Sequence, residues 1–359
     1  MQFRVIKKGE ISQKKYTLIT LTAIFSALVT SGLFLALLGL NPLEVYLAMV
    51  KGAFGTTYRL EQTIVKSIPL VVTSLGIAIA FKMKFWNIGA EGQIMMGAFG
   101  ASYFALQYPD MSRPLLLVIM MVAAFVGGAI WGLIPAFFKA KWATNETIVT
   151  LMMNYVALKW ITYLQYGPWK DPNALGFPKI ANFTENAILP KIFGVHIGWI
   201  IALILVVLIH VFLKHSKKGF EISVLGESYN TARYAGINIS KTILIAMLLS
   251  GGICGLVGML QVAGVSKTLS VEISGGVGYT AIITTWLAAL KAPWIVIVSF
   301  LFAALIQGSS FIQTAFGISA ASALLLEAMI LFFVLGSEFF TRYRVVLEYK
   351  LPFKKKEES

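Results

Sequence analysis

Uncharged apolar runs of about 20 residues recur along the whole chain, separated by short polar connections that are mostly basic. That run length suits a helix crossing the bilayer core, because each helical residue advances the axis by ~1.5 Å across a hydrocarbon layer of ~30 Å. The pattern predicts about ten membrane-spanning helices, near residues 16–40, 64–81, 88–107, 115–138, 147–166, 197–213, 242–263, 278–290, 293–313 and 320–338. The first carries no charge from Tyr16 to Leu40 and is expected to be a retained helix; the eighth is short. Barrel strands would be shorter and would alternate in polarity. The expected fold class is therefore all-α, a polytopic integral membrane protein.

Charge gives the expected orientation. With both termini cytoplasmic, the inside collects the basic tail of residues 1–15 (Arg4, Lys7, Lys8, Lys14, Lys15) and Lys82, Lys84, Lys139, Lys141, Lys214, Lys217, Lys218, Arg233, Lys241 and Lys291. It also takes the basic residues of a second tail, 339–359, so most of the 30 Lys and Arg fall on one side. That bias is the positive-inside rule. Basic loops facing an anionic leaflet account for the net charge of +14 without any nucleic acid as partner. Residues 16–338 are read as one transmembrane domain. Two of its connections are too long to be turns. The segment 167–195, with Pro168, Pro172, Pro178 and Pro190, falls outside and either caps an entrance, docks a partner or is solvated. The segment 214–241 falls inside, and its middle, with Ala232, Arg233, Tyr234, Ala235 and Ile237, reads as a short amphipathic helix lying on another protein or on the membrane surface.

Enzyme chemistry has no foothold. The chain contains no phosphate-binding P-loop, no H-E-x-x-H, no G-x-S-x-G and no dinucleotide fingerprint after a strand, so no catalytic residue, metal or cofactor is expected in it. Cys254 reads as a small buried hydrophobe, and the three histidines, His196, His210 and His215, are spaced wrongly for a shared metal. Gly128 with Gly132, and Gly251 with Gly255 and Gly258, have the spacing of close helix packing.

What stands out is FWNIGAEGQIMMGAFG, residues 85–100, where Asn87, Glu91 and Gln93 interrupt an apolar helix among Gly89, Gly92, Gly97 and Gly100. Ionisable groups at membrane depth face a protein interior or a wet pathway. Asn87, Glu91, Gln93 and Asn154 are therefore the candidate lining of a path for a neutral, polar solute. Hydrogen bonding between helices is the alternative.

Read in order, that element, NETIVTLMMNYVAL (145–158), GESYNTARYAGI (226–237) and GVGYTAIITTWLAAL (276–290) resemble the permeases of ABC importers for nucleosides and simple sugars, related to ribose and branched-chain amino acid permeases. The NIGAEGQ element with its long external loop is similar to the larger of two non-identical permeases in nucleoside uptake systems. The resemblance, from about Pro69 to Gly336, implies a multi-pass permease of the bacterial-type inner membrane. It implies as partners a second, related permease, an ATPase that holds the ATP, and an extracytoplasmic binding lipoprotein that delivers a nucleoside. It also implies that Gly226, Glu227, Asn230, Ala232, Arg233, Gly236 and Ile237 belong to the cytoplasmic element that couples to the ATPase. Trp86 and Lys291-Ala292-Pro293 depart from the usual pattern of such permeases. Within the resemblance a simple sugar is the second choice of cargo. An ion-coupled carrier using Glu91, or a membrane scaffold without transport, are the rival classes.

Overall fold

A computed structural model describes residues 2–7, 12–174 and 176–348. Helices dominate. In chain order they are α1 (Gln13–Leu37), α2 (Pro42–Phe54), α3 (Thr57–Lys82), α4 (Ala90–Gln107), α5 (Arg113–Trp142), α6 (Glu146–Tyr166), α7 (Gly198–His215), α8 (Lys217–Glu227), α9 (Tyr229–Tyr234), α10 (Ile239–Gln261), α11 (Val277–Leu287), α12 (Ala292–Phe316) and α13 (Ala320–Arg342). Seven of them are long and apolar enough to cross a membrane: α1, α3, α5, α7, α10, α12 and α13. Helices α4 and α6 have the length but are more polar. Helix α11 has 11 residues, or ~16 Å, so the expected eighth span is not a full crossing.

Two compact units emerge, one from the two ends of the chain (up to Gly52 and from Gly308 onward), the other from Ala53–Gln307. In the first, α1 packs on α13, and strands β1 (Gln2–Lys7) and β4 (Tyr343–Glu348) pair antiparallel, with Gln2 opposite Glu348 and Lys7 opposite Tyr343. This ribbon departs from the all-α expectation, which read both ends as tails. β-Branched and aromatic residues such as those of Tyr343–Glu348 favour strands, and here the two ends supply each other's partner. The segments 8–11 and 349–359 of those tails lie outside the described residues. Helix α2 was not foreseen, because Glu44 and Lys51 break its apolar run. Tyr46 ties it to α1: its hydroxyl donates to the Leu28 carbonyl at 2.7 Å and lies 2.7 Å from Ser31 Oγ.

In the second unit α3 and α10 form the centre and are buried on nearly every side, whereas α7 exposes most of its surface. A helix apolar all round belongs in such a centre or in lipid. Local signals set the helix starts. Asn145 accepts from the Thr147 amide at 3.0 Å at the head of α6, Ser216 from Gly219 at 2.9 Å for α8, and Asn238 from Lys241 at 3.0 Å for α10. The glycines spaced for packing meet as expected. Gly128 and Gly132 of α5 lie against Gly251 and Gly255 of α10, and Gly97 of α4 lies on Gly255. Backbones there touch directly, leaving no room for a Cβ. Cys254 is fully buried beside Thr73 and Gly76.

The long connection between α6 and α7 is no plain solvated loop. Ile180, Phe183, Ala187, Leu189, Val195 and His196 are buried, and a hairpin of β2 (Lys191–Ile192) and β3 (Val195–His196) closes through Phe193 and Gly194, both left-handed. Its backbone is tied down on two sides. The Phe183 and Leu189 amides donate to the carbonyls of Lys267 (2.8 Å) and Ala263 (2.9 Å), and Arg113 Nη2 donates to Ile188 O at 2.8 Å.

His196 sits at the end of this hairpin, 2% exposed, its ring over Gly264 and its Nδ1 accepting from the Gly198 amide at 3.3 Å. Burial, aided by the charge of Lys191, lowers its pKa from 6.5 to about 4. The unfolded chain then binds a proton near pH 6.5 that the folded chain refuses until about pH 4. Stability is therefore expected to fall as pH drops through that window, by up to ~3 kcal/mol. Thermal unfolding of the purified protein between pH 7.5 and 4.5 checks this. His196→Gln should flatten that part of the profile, and an unchanged profile would show that His196 does not set it.

Candidate translocation and coupling sites

The backbone leaves helical form in two places within the second unit, and the polar residues singled out above gather around both. Between α3 and α4, residues 83–89 leave the α-helix in tight turns, with amides donating to the carbonyls of Ala80, Phe81, Phe85 and Trp86, while Met83, Phe85 and Asn87 are buried. In lipid the backbone groups that such turns leave over have no water to turn to, and side chains supply further partners. Thr150 Oγ1 accepts from the Ile88 amide at 3.3 Å. Asn154 Nδ2 donates to the Ile88 carbonyl at 2.9 Å, and its Oδ1 accepts from the Gly92 amide at 2.8 Å. Asn87 and Gln93 exchange two amide hydrogen bonds of 3.1 Å, and Asn87 also donates to Ser250 on α10 at 3.1 Å. Trp86 stacks on Trp286 of α11 with ring centroids 5.6 Å apart, pinning the outer side of the turn.

The second break precedes α11. After α10 the chain forms a π-helical turn, Val262–Ser266, then runs without a helix to Gly276, where α11 begins. The exposed amides at that start are held by Glu91: Oε1 accepts from Gly276 N–H at 2.9 Å and Oε2 from Gly278 N–H at 2.7 Å. Glu91 thus caps the positive end of a short helix from a position in the first turn of α4. A Cβ at Gly278 would lie 2.5 Å from the Glu91 amide nitrogen, so only glycine lets the two helix starts meet. Farther along α11, Thr284 and Ser74 of α3 share a hydrogen bond of 2.6 Å.

Asn87, Glu91, Gln93 and Asn154 are therefore brought into one knot, all 5% exposed or less. In this chain they bond to backbone and to each other. Beside the knot lies a surface that sequence reasoning did not single out. Tyr155, Lys159 and Tyr163 of α6 are exposed in a row at four-residue spacing, and Tyr279 of α11, also exposed, has its hydroxyl 3.2 Å from Asn154 Nδ2. Lys159 is 13 residues into α6, ~20 Å along its axis, well within the depth of a bilayer. The signal was present as a charge within an otherwise apolar span.

The candidate coupling residues occupy a compact corner. Helices α8 and α9 meet at Ser228, whose Oγ accepts from the Thr231 amide at 3.2 Å. Helix α9 is closed off by Gly236, two residues past its end and left-handed at φ +71, and the Ile237 amide donates back to the Ala232 carbonyl at 3.0 Å. Gly226 and Ala232 are buried, Gly226 against the last turn of α3, so these two seat the corner from within. Glu227, Asn230, Arg233 and Gly236 are exposed and Ile237 partly so, with Tyr229 and Tyr234 exposed beside them. Below, Lys218 Nζ lies 2.6 Å from Glu221, which also accepts from Thr242 Oγ1 at 3.2 Å. Those bonds, that of Lys218 first, hold the Glu221 carboxyl below its ordinary pKa.

The family model for the permease component of branched-chain amino acid transport systems matches residues 59–335. The chain belongs to this permease family. Among its relatives, the glucose ABC transporter permease protein TsgB13 of Haloferax volcanii is 32% identical over 90% of this chain and 88% of its own length. The guanosine ABC transporter permease protein NupP of Bacillus subtilis is 28% identical over 91% of this chain and 95% of its own. A second guanosine ABC transporter permease protein of that bacterium, NupQ, is 28% identical over 61% of this chain and 72% of its own. The protein is thus an integral membrane permease of the ABC-importer kind, a transport component rather than an enzyme, and nucleoside and sugar permeases are among its relatives. A permease of this kind works with an ATPase and a substrate-binding protein.

Proposed function

We propose that this permease conducts nucleosides, and that the path runs along the exposed face of α6 and the start of α11. The observation that carries this reading is the row Tyr155, Lys159, Tyr163 with Tyr279: aromatic and cationic side chains, unsuited to lipid, exposed at membrane depth. Aromatic rings stack on nucleobases, worth ~1–3 kcal/mol per base by alanine substitution. Asn87, Glu91, Gln93 and Asn154 stand behind that face and position it. The face is completed by a second, related permease, as the pair of guanosine permeases in B. subtilis suggests. This chain takes the role of the larger subunit.

The chain sits in the inner membrane of a bacterial-type cell with both termini cytoplasmic, and α11 is a half-crossing. The pairing of β1 with β4 supports an arrangement in which both ends lie on one side. The connection 167–195 then caps the outer face, where a binding lipoprotein delivers the solute. The exposed residues around α9 seat on the ATPase, which binds the ATP; the chain itself holds no cofactor.

A simple sugar is the second reading, favoured by the resemblance to a glucose permease. Uptake of labelled guanosine, adenosine, uridine, glucose and ribose by cells making the full transporter distinguishes the two. Nucleoside uptake that depends on this chain and drops about tenfold or more in Tyr155→Ala is the expected result. Uptake of sugars alone would change the cargo, and uptake unaffected by Tyr155→Ala and Lys159→Leu would remove the path from α6.

A further inference from the structure

A cleft of about 560 Å³ opens where the end of α7, helix α8, the end of α3 and the turn between α11 and α12 come together. Lys82, Lys214, Lys291 and His210 line it, and no carboxylate does. Lys82, Lys214 and Lys291 are exposed, and among the described residues none has a carboxylate partner. Glu221, the nearest acid in sequence, is engaged by Lys218 and Thr242. Four cationic or potentially cationic groups around one hollow repel each other unless an anion sits among them.

The turn that forms one wall has unusual backbone. Ala289 and Leu290 are both left-handed, at φ +50 and +59, a conformation that costs a side-chain-bearing residue energy. It delivers Lys291 to the cleft and starts α12 at Ala292, with Pro293 and Trp294 on the rim. The Lys-Ala-Pro departure from the usual permease pattern thus falls in this cleft.

The surroundings say what kind of anion fits. Leaving the cleft along α12, Trp294, Ile297 and Leu301 are exposed at three- to four-residue spacing. Leaving it along α7, Val211, Leu208, Val207 and Ile204 are exposed in the same way. Both stripes are apolar and belong to helices long enough to cross a membrane. Charge at one end and apolar stripes running from it match a molecule with an anionic head and hydrocarbon tails. A free nucleotide or phosphate ion would use only the charged end. Basic clefts between membrane helices are suited to such headgroups.

We propose that this cleft binds an anionic phospholipid, its phosphate among Lys82, Lys214 and Lys291 and its acyl chains along the exposed faces of α7 and α12. Native mass spectrometry of the delipidated transporter complex, titrated with phosphatidylglycerol or with zwitterionic phosphatidylethanolamine, tests it. The variant is K82Q/K214Q/K291Q, and the control of equal charge change is K141Q/K217Q/K241Q. Wild type and control are expected to retain phosphatidylglycerol, with binding weakened about tenfold or more in the variant and weak for phosphatidylethanolamine throughout. Equal weakening in variant and control would reduce the effect to bulk charge and overturn the site. Displacement of the lipid by millimolar inorganic phosphate or ATP would assign the cleft to a free phosphate and overturn the lipid. If the triple variant does not yield intact complex, Lys291→Gln and Trp294→Ala replace it; full retention of phosphatidylglycerol by both would refute the proposal.

Discussion

Replacing Gly255 with leucine is expected to leave no monodisperse folded permease after detergent extraction. A Cβ there already meets the carbonyl of Ala124 and comes within 2.9 Å of the Gly128 Cα, and Gly97 of α4 touches Gly255 as well. Three helices meet at this residue, and none can yield without displacing another. Overpacking a close-fitted interior costs ~1–3 kcal/mol for small additions. Gly255→Ala should lower stability by about that much, and leucine by far more. Gly336→Leu is the control, because nothing lies within 4 Å of a Cβ at that position. Size-exclusion profiles and thermal unfolding of the three variants read the result. A folded, stable Gly255→Leu protein would show that α4, α5 and α10 do not meet as described.

The second large effect belongs to Glu91. Glu91→Ala removes both acceptors from the head of α11, each a hydrogen bond to a charged group worth ~1.5–3 kcal/mol, and leaves two amides bare at membrane depth. Glu91→Gln keeps one acceptor and turns an NH₂ donor toward the other amide, so it should lose roughly half as much. Solute uptake is expected to fall in parallel with thermal stability, since α11 carries Tyr279 and loses its anchor. Uptake abolished by Glu91→Gln at unchanged unfolding temperature would instead put the carboxylate in contact with the solute.

These two residues also show how much of the molecule was legible beforehand. The glycine spacing in α5 and α10 predicted close packing, because a single helix face needs only local sequence to be read. Which helices would share that packing was not written locally: Gly97 stood out as a glycine of α4, but not as a partner of Gly255. Glu91 was conspicuous as a charge in an apolar run, yet its partners, Gly276 and Gly278, lie 185 and 187 residues away. Nothing in a hydropathy pattern pairs such positions. The short α11 was mistaken for a span for a related reason: Ala288–Leu290 continue its apolar run after the helix has ended. Around α9 the composition correctly announced a helix, but burial was hidden. Ala232, one of the candidate coupling residues, is buried beneath its exposed neighbours. Lys159 and the tyrosines flanking it needed the structure, because only there does their exposure separate them from interior polar residues such as Asn154.

The antiparallel ribbon of β1 and β4 has a consequence for biosynthesis. Strand β4 is synthesised more than 300 residues after β1. At ~5–20 residues per second the first strand waits tens of seconds for its mate. Residues Ala53–Gln307 are continuous and can assemble while synthesis proceeds. The unit built from the chain's two ends closes last, so truncation before Tyr343 would leave α1 without the strand pairing that fastens it to α13.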